Sequence, residues 1–216
     1  MFASTLRVGV LAIALGLIAT GSTPADDPIA GVKKVEVKKA ADKKLELNVG
    51  DKVPGFCLRD DQDKPWKSAD HVGKKWVVIY FYPGDFTPGC TAQAKAFKEQ
   101  VYKLTEQGVE VVGVSGDLVE THSKFKRAEQ LNYPLLSDGH GTVASKFGVP
   151  FGKGATVKVK PVKPATEGFE FERPGTAGRW TFVIGKDGTI AYKNTKVNPV
   201  ADAKAVSEFI AAADKK

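Results

Sequence analysis

The chain has 216 residues, 42% hydrophobic and 26% charged, which suits one well-cored domain with appendages better than two small domains. Its net charge of +7 comes largely from scattered lysines, with clusters at 32–44 and 157–163. These clusters have no interleaved aromatics and no nucleic-acid-binding motif, so they read as solvated faces and nucleic acid is not an expected partner.

Residues 1–25 read as a secretory signal. Arg7 gives a weakly positive start, Val8 to Ala19 is apolar, and small residues follow at Thr20, Gly21 and Ser22, with cleavage expected after Gly21 or Ala25. The apolar run is shorter than the ~20 residues a membrane span needs, so no stable membrane insertion is expected after processing. Export to the periplasm is the expectation, and an uncleaved N-terminal anchor is the alternative. Residues 26–44 form a lysine-rich leader with weak alternation at Val32-Lys33-Lys34-Val35-Glu36-Val37, enough for a short edge strand. The domain proper is expected over 45–216.

Gly50 to Pro54 is turn chemistry, and Phe56-Cys57-Leu58 a short strand with Cys57 on the opposite face from its neighbours. Asp60 to Lys64 reads as a polar turn. Trp76-Val77-Val78-Ile79-Tyr80-Phe81 is continuously apolar, as a central strand buried on both faces should be. A helix is predicted from Pro88 to about Gln107, with Cys90, Ala94, Phe97, Val101 and Leu104 recurring at helical spacing. Glu110 to Ser115 is the next strand, 118–131 a second amphipathic helix, Pro134 to Leu136 a third short strand, and 141–147 a short helix ended by Gly148. Trp180 to Ile184 and Thr189 to Tyr192 form a hairpin around Asp187-Gly188, and 201–214 is a closing helix. This order is that of an α/β thioredoxin-like fold, a central mixed sheet with helices on both faces.

One stretch departs from that plan. Val157-Lys158-Val159-Lys160 and Phe169-Glu170-Phe171-Glu172 alternate, one with a basic and one with an acidic polar face. They predict an inserted β-arm at about 152–177 whose lysines and glutamates pair across strands, each pair worth only ~0.2–1 kcal/mol, so packing on the body must supply most of its order.

The chemistry is concentrated in Tyr82-Pro83-Gly84-Asp85-Phe86-Thr87-Pro88-Gly89-Cys90. Thr87 can cap the following helix through its side chain, and Pro88 suits the first helical position because it has no N–H to leave unsatisfied. Cys90 then falls in the first turn, where the helix dipole and free amides favour a thiolate over a thiol. It also lies on the stripe facing the sheet, which fits a protected nucleophile or an inert core cysteine equally. By arithmetic alone, the two cysteines of an exported protein could instead form one structural disulfide, Cys57 to Cys90.

These residues resemble a peroxiredoxin, of the bacterioferritin-comigratory-protein type, over most of 45–214. Pro83, Thr87 and Cys90 match the family's Pro-x-x-x-Thr-x-x-Cys signature, in the Thr-Pro-Gly-Cys form of that subgroup. Gly113-Val114-Ser115, the Thr121 to Phe125 stretch and Pro134 to Asp138 are similar to later landmarks of the family. Arg179, just before Thr181-Phe182-Val183-Ile184, matches the position of the active-site arginine. The resemblance implies a thiol-dependent peroxidase needing no cofactor or metal, acting on hydrogen peroxide or organic hydroperoxides as a monomer or homodimer. Cys90 would be the nucleophile, Arg179 would stabilise thiolate and leaving oxygen, the Thr87 hydroxyl and the Gly89 and Cys90 amides would hold the peroxide, and Pro83 would shield the pocket.

Two departures matter. The subgroup often carries a resolving cysteine where Lys95 stands, and commonly a glutamate where Gln93 stands. A disulfide within this helix is therefore impossible here, and the expected cycle uses one cysteine and an external thiol, either a thioredoxin-like protein or a small thiol. Cys57 is the alternative resolving residue, although its position is not ordinarily catalytic in the family. His122 reads as a packed, hydrogen-bonded residue, and His71 and His140 form no metal cluster with the cysteines. A thiol–disulfide oxidoreductase of the same fold is the enzymatic rival, but Cys90-Thr91-Ala92-Gln93 lacks the second cysteine it needs. A redox-inert binding module of this fold, with the arm as contact surface, is the rival from another class.

Overall fold

A computed structural model describes residues 46–160 and 168–215. The signal and leader expected over 1–44 lie outside these residues, as does the connection at the tip of the arm. The described part belongs to one unit, Ala41–Lys216.

Its centre is a seven-stranded mixed sheet. The strands, in chain order, are β1 (Cys57–Asp60), β2 (Pro65–Lys67), β3 (Trp76–Phe81), β4 (Val109–Ser115), β5 (Leu135–Ser137), β8 (Trp180–Ile184) and β9 (Ile190–Asn194), while β6 (Phe151–Val159) and β7 (Phe169–Ala177) pair with each other apart from it. Across the sheet the order is β2-β1-β5-β4-β3-β8-β9. β3, β4 and β5 run parallel, and the flanking pairs are antiparallel. All six residues of β3 are buried, because strands lie on both sides of it and helices or loops on both faces. β2 forms where the sequence suggested only a turn before it. Trp66 draws that segment in by stacking on Phe56 and His71 and donating from Nε1 to Glu110.

Four helices complete the fold: α1 (Pro88–Glu106), α2 (Val119–Glu129), α3 (Thr142–Phe147) and α4 (Asp202–Ala213). The predicted stripe of α1 is buried with α4 residues Ala203, Val206 and Ile210 and with Phe125 of α2 against one face of the sheet. Phe97 and Leu104 are wholly buried, each contributing about 1.5–3 kcal/mol relative to exposure. The other face is covered by α3 through Val143, Ala144 and Phe147, with Leu47, Phe56 and Trp66. Leu118, where the sequence predicts that α2 begins, lies just before the helix and is exposed.

The arm's strands are longer than the alternating runs suggested, because pairing continues into the Gly- and Pro-bearing root, from Val159↔Phe169 to Phe151↔Ala177. Of the expected charge pairs, Lys158 to Glu170 forms at 3.2 Å between exposed side chains, while Glu172 accepts a hydrogen bond from Thr156.

Candidate active site

The β3–β8 pairing builds the site before any side chain is considered. Phe81 pairs with Trp180, so Arg179 must lie beside the loop that leaves β3 at Tyr82. That loop delivers Thr87 and Pro88 to the start of α1, and Cys90 to its first turn.

Cys90 is 1% exposed and packs with Tyr80, Tyr82 and Ala94. Arg179 Nη2 donates to its Sγ at 3.2 Å, and Nη1 of the same guanidinium donates to Gln93 Oε1 at 2.5 Å. Gln93 Nε2 donates in turn to Asp202 Oδ2 at 2.8 Å, and Thr181 Oγ1 donates to that same oxygen at 2.7 Å. Burial raises the pKa of Asp202 above the ordinary carboxylate value, while Thr181, Gln93 and Arg179 pull the other way. A Cβ at Gly89 would come 3.3 Å from Arg179 Nη2, a tight contact that would ask the guanidinium to shift by a few tenths of an ångström.

Thr87 occupies the cap position with extended backbone, but its side chain does not cap the helix. Its hydroxyl donates instead to the carbonyl of Gly84 at 3.0 Å and closes the loop on itself. The capping bond expected from the sequence is therefore not made, and the first-turn amides of α1 keep their donors for something else.

Beneath the loop lies a buried charged network. Asp85 accepts from the Tyr82 hydroxyl at 2.7 Å and contacts His122 Nδ1 at 2.8 Å, while His122 Nε2 faces the Leu136 carbonyl at 3.2 Å. Both ring nitrogens thus meet acceptors, an arrangement that suits the imidazolium. Burial alone would lower the His122 pKa, but the Asp85 charge and hydrogen bond, and then Asp117, outweigh it and leave it above the ordinary value. Asp117 accepts from the Asp85 amide at 2.7 Å, from Ser115 at 2.8 Å and from Arg173 Nε at 2.7 Å. Arg173 Nη2 also donates to the Asp85 carbonyl at 2.9 Å. Its guanidinium lies where a Cβ on Gly84 would stand, so any other residue there would displace it. Two carboxylates, one guanidinium and one imidazolium balance, which is how charges so deeply buried are tolerated.

The arm joins the site through this network. Arg173 comes from the root of β7, and Phe169 packs edge-on against Phe86 at 5.1 Å, with Phe171 at 6.2 Å. Phe86 holds a left-handed φ of +59°, a strain on the order of 1–3 kcal/mol that this aromatic cluster, with Phe125 at 5.1 Å, offsets.

Cys57 is exposed and free on β1. β1 lies three places from β3 across the sheet, and Cys90 is free and buried on α1, so the two cysteines form no disulfide. Lys95 points outward to Glu129 at 2.9 Å. Pro83 is half-buried at the loop's start. The structure therefore brings together Pro83, Thr87, Gly89, Cys90 and Arg179, and leaves Cys57 apart. Asp85, Asp117, Arg173 and Asp202, which the sequence does not single out, join these contacts. Asp85 stands inside the signature loop and Asp117 just after Gly113-Val114-Ser115, so position could have flagged them, whereas Arg173 and Asp202 carry no local signal.

Residues 49–193 match the AhpC/TSA family. A chloroplastic peroxiredoxin Q of rice, Oryza sativa subsp. japonica, is 35% identical over 147 residues, 68% of this chain and 58% of that protein, so the match spans less than two thirds of the relative. The crystal structure of peroxidoxin BcpB from Mycobacterium tuberculosis superposes with a TM-score of 0.63 at 29% identity, covering 77% of this chain and 98% of that one. A bacterioferritin comigratory protein of Xanthomonas campestris, whose structures concern alkyl peroxide reduction, gives a TM-score of 0.59 at 26% identity, covering 73% of this chain and 91% of that one.

Proposed function

Because the chain belongs to the AhpC/TSA family, we propose that it is a thiol-dependent peroxidase in which Cys90 is the nucleophile. The observation that carries this reading is the 3.2 Å contact from Arg179 Nη2 to Cys90 Sγ at a helix start whose amides are uncapped by Thr87.

The Cys90 thiolate attacks one oxygen of a hydroperoxide. An S–O bond forms as the O–O bond breaks, its electron pair leaves on the distal oxygen, and that oxygen takes a proton and departs as water or an alcohol. Cys90 is oxidised by two electrons to a sulfenic acid, the reversible rung of thiol oxidation. Arg179 stabilises the thiolate and the charge growing on the departing oxygen, an interaction worth most in the transition state. The proton of the Thr87 hydroxyl is committed to Gly84, so its lone pairs are free to accept the hydroperoxide O–H. The Gly89 and Cys90 amides hold the peroxide oxygens in line, and Pro83 shields the pocket. In a stopped-flow experiment, micromolar hydrogen peroxide should consume the Cys90 thiol of the wild type and leave C90S unchanged. Survival of the free Cys90 thiol overturns the reading.

The cycle uses one cysteine and an external thiol, either a thioredoxin-like protein or a small thiol. Lys95 in place of a resolving cysteine and the span between β1 and β3 support this. One equivalent of peroxide should leave a trappable sulfenic acid by mass spectrometry, whereas a quantitative Cys57–Cys90 disulfide overturns the one-cysteine cycle. The protein acts as a monomer or homodimer, exported after removal of residues 1–25. The charge and hydropathy of that segment support export, which recovery of the protein in the cytoplasm overturns, while a protein that retains Met1 overturns the cleavage.

A further inference from the structure

We propose that Asp202 is a positioning residue for this chemistry, a lock that holds the side-chain amide of Gln93 with its oxygen toward Arg179. The inference rests on the peroxidase reading above.

A glutamine amide is nearly symmetric in shape. Its oxygen and nitrogen ends have nearly the same size and shape and opposite hydrogen-bonding character. Turned over, Gln93 would present an NH2 group to the guanidinium, donor against donor, and push Arg179 away from Cys90. Gln93 is wholly buried, so water does not choose between the two orientations. The choice is made at the far end of the amide, where Nε2 donates to Asp202 Oδ2 at 2.8 Å.

That oxygen is fixed as an acceptor. Thr181 Oγ1 donates to it as well, at 2.7 Å, so both of its lone-pair directions are engaged. The other oxygen, Oδ1, is buried and has no partner among the described residues, so a proton taken up by this carboxyl sits there. Oδ2 accepts from Gln93 in either protonation state, and the lock does not depend on Asp202 being ionised. The chain of contacts Asp202, Gln93, Arg179, Cys90 thus runs from the first turn of α4 to the reacting sulfur. Thr181 sits on β8 and Asp202 on α4, so the lock also needs that helix docked on that strand.

A purely structural role, in which Asp202 merely seats α4 on β8, makes a different prediction. Glutamate at position 93 has two equivalent oxygens and needs no orienting partner. The test is the second-order rate of Cys90 oxidation by hydrogen peroxide in wild type, D202A, D202N, Q93E and Q93E/D202A, with melting temperatures recorded. D202A should slow the wild-type reaction about tenfold. D202N, whose amide can turn its NH2 group toward Gln93 and no longer fixes an acceptor there, should slow the reaction as well. In the Q93E background, the same D202A substitution should cause no loss. Equal losses in both backgrounds overturn the lock in favour of the seating role, and so does an undiminished D202A. Should D202A fold poorly, D202L fills the volume without an acceptor and is read in the same way. A wild type unreactive to peroxide overturns the peroxidase reading and the lock together, whereas a reactive wild type with any of the contrary patterns overturns the lock alone.

Discussion

At the scale of single residues, the site is a competition for hydrogen-bond donors around one sulfur. Arg179 spans Cys90 and Gln93 with the two ends of one planar fork, which a lysine cannot reproduce. R179K should therefore lower the rate of Cys90 oxidation by about 10²–10³, measured by stopped flow, as loss of a donor to developing charge does elsewhere. Thr87 gives a sharper contrast. A capping threonine contributes about 1 kcal/mol of stability, but this one makes no capping bond. T87V loses the bond to the Gly84 carbonyl instead of a cap, and should lower the unfolding free energy by about 0.5–1.5 kcal/mol. Its peroxide reaction should also fall by about tenfold or more, while T87S keeps both properties. Urea titration and stopped flow on the same preparations check the pair of expectations.

At the scale of elements, the β6–β7 arm is tied to the loop between β3 and α1. Its exposed Lys158–Glu170 pair contributes little, and E170A should shift stability by no more than about 1 kcal/mol. Its root is different in kind. Arg173 is 7% exposed and bridges the Asp117 carboxylate to the Asp85 carbonyl, so R173M leaves a buried carboxylate short of its cation. A loss of about 3–5 kcal/mol in urea unfolding is expected. Because the same guanidinium rests on Gly84, the loop carrying Thr87 loosens as well, and peroxide reactivity should fall in step. A stable, fully active R173M would show that the arm does not hold the loop.

At the scale of the whole molecule, the buried charges tie stability to pH. The folded-state pKa of His122 lies above its ordinary value of about 6.5, so the native state binds the proton more tightly than the unfolded chain does. The resulting stabilisation is complete below about 6.5 and is lost as pH rises through the folded value. Asp117, whose pKa burial also raises, acts with the same sign in the acidic range above the ordinary carboxylate value. Urea midpoints should therefore fall as pH is raised above neutrality, and H122Q should flatten that fall. A wild-type midpoint that rises over the same interval would contradict the imidazolium assignment.

Much of this was written locally. A continuous apolar run made β3 recognisable, 3.6-residue spacing marked the inner face of α1, and Thr87-Pro88-Gly89-Cys90 placed a cysteine at a helix start, because strand burial, helix periodicity and first-turn chemistry act between near neighbours. The place of Arg179 beside Cys90 was legible from resemblance to the family. Other features depended on register and packing between segments far apart in the chain. Thr87 turned its hydroxyl to Gly84 when the loop closed, Asp117 and Asp85 met Arg173 when β7 reached the body, and Asp202 met Gln93 when α4 docked. A buried polar group must find a partner wherever the fold provides one. Near-neighbour chemistry thus singles out Cys90 at the start of α1, whereas only the packing of distant segments sets its hydrogen-bonded surroundings.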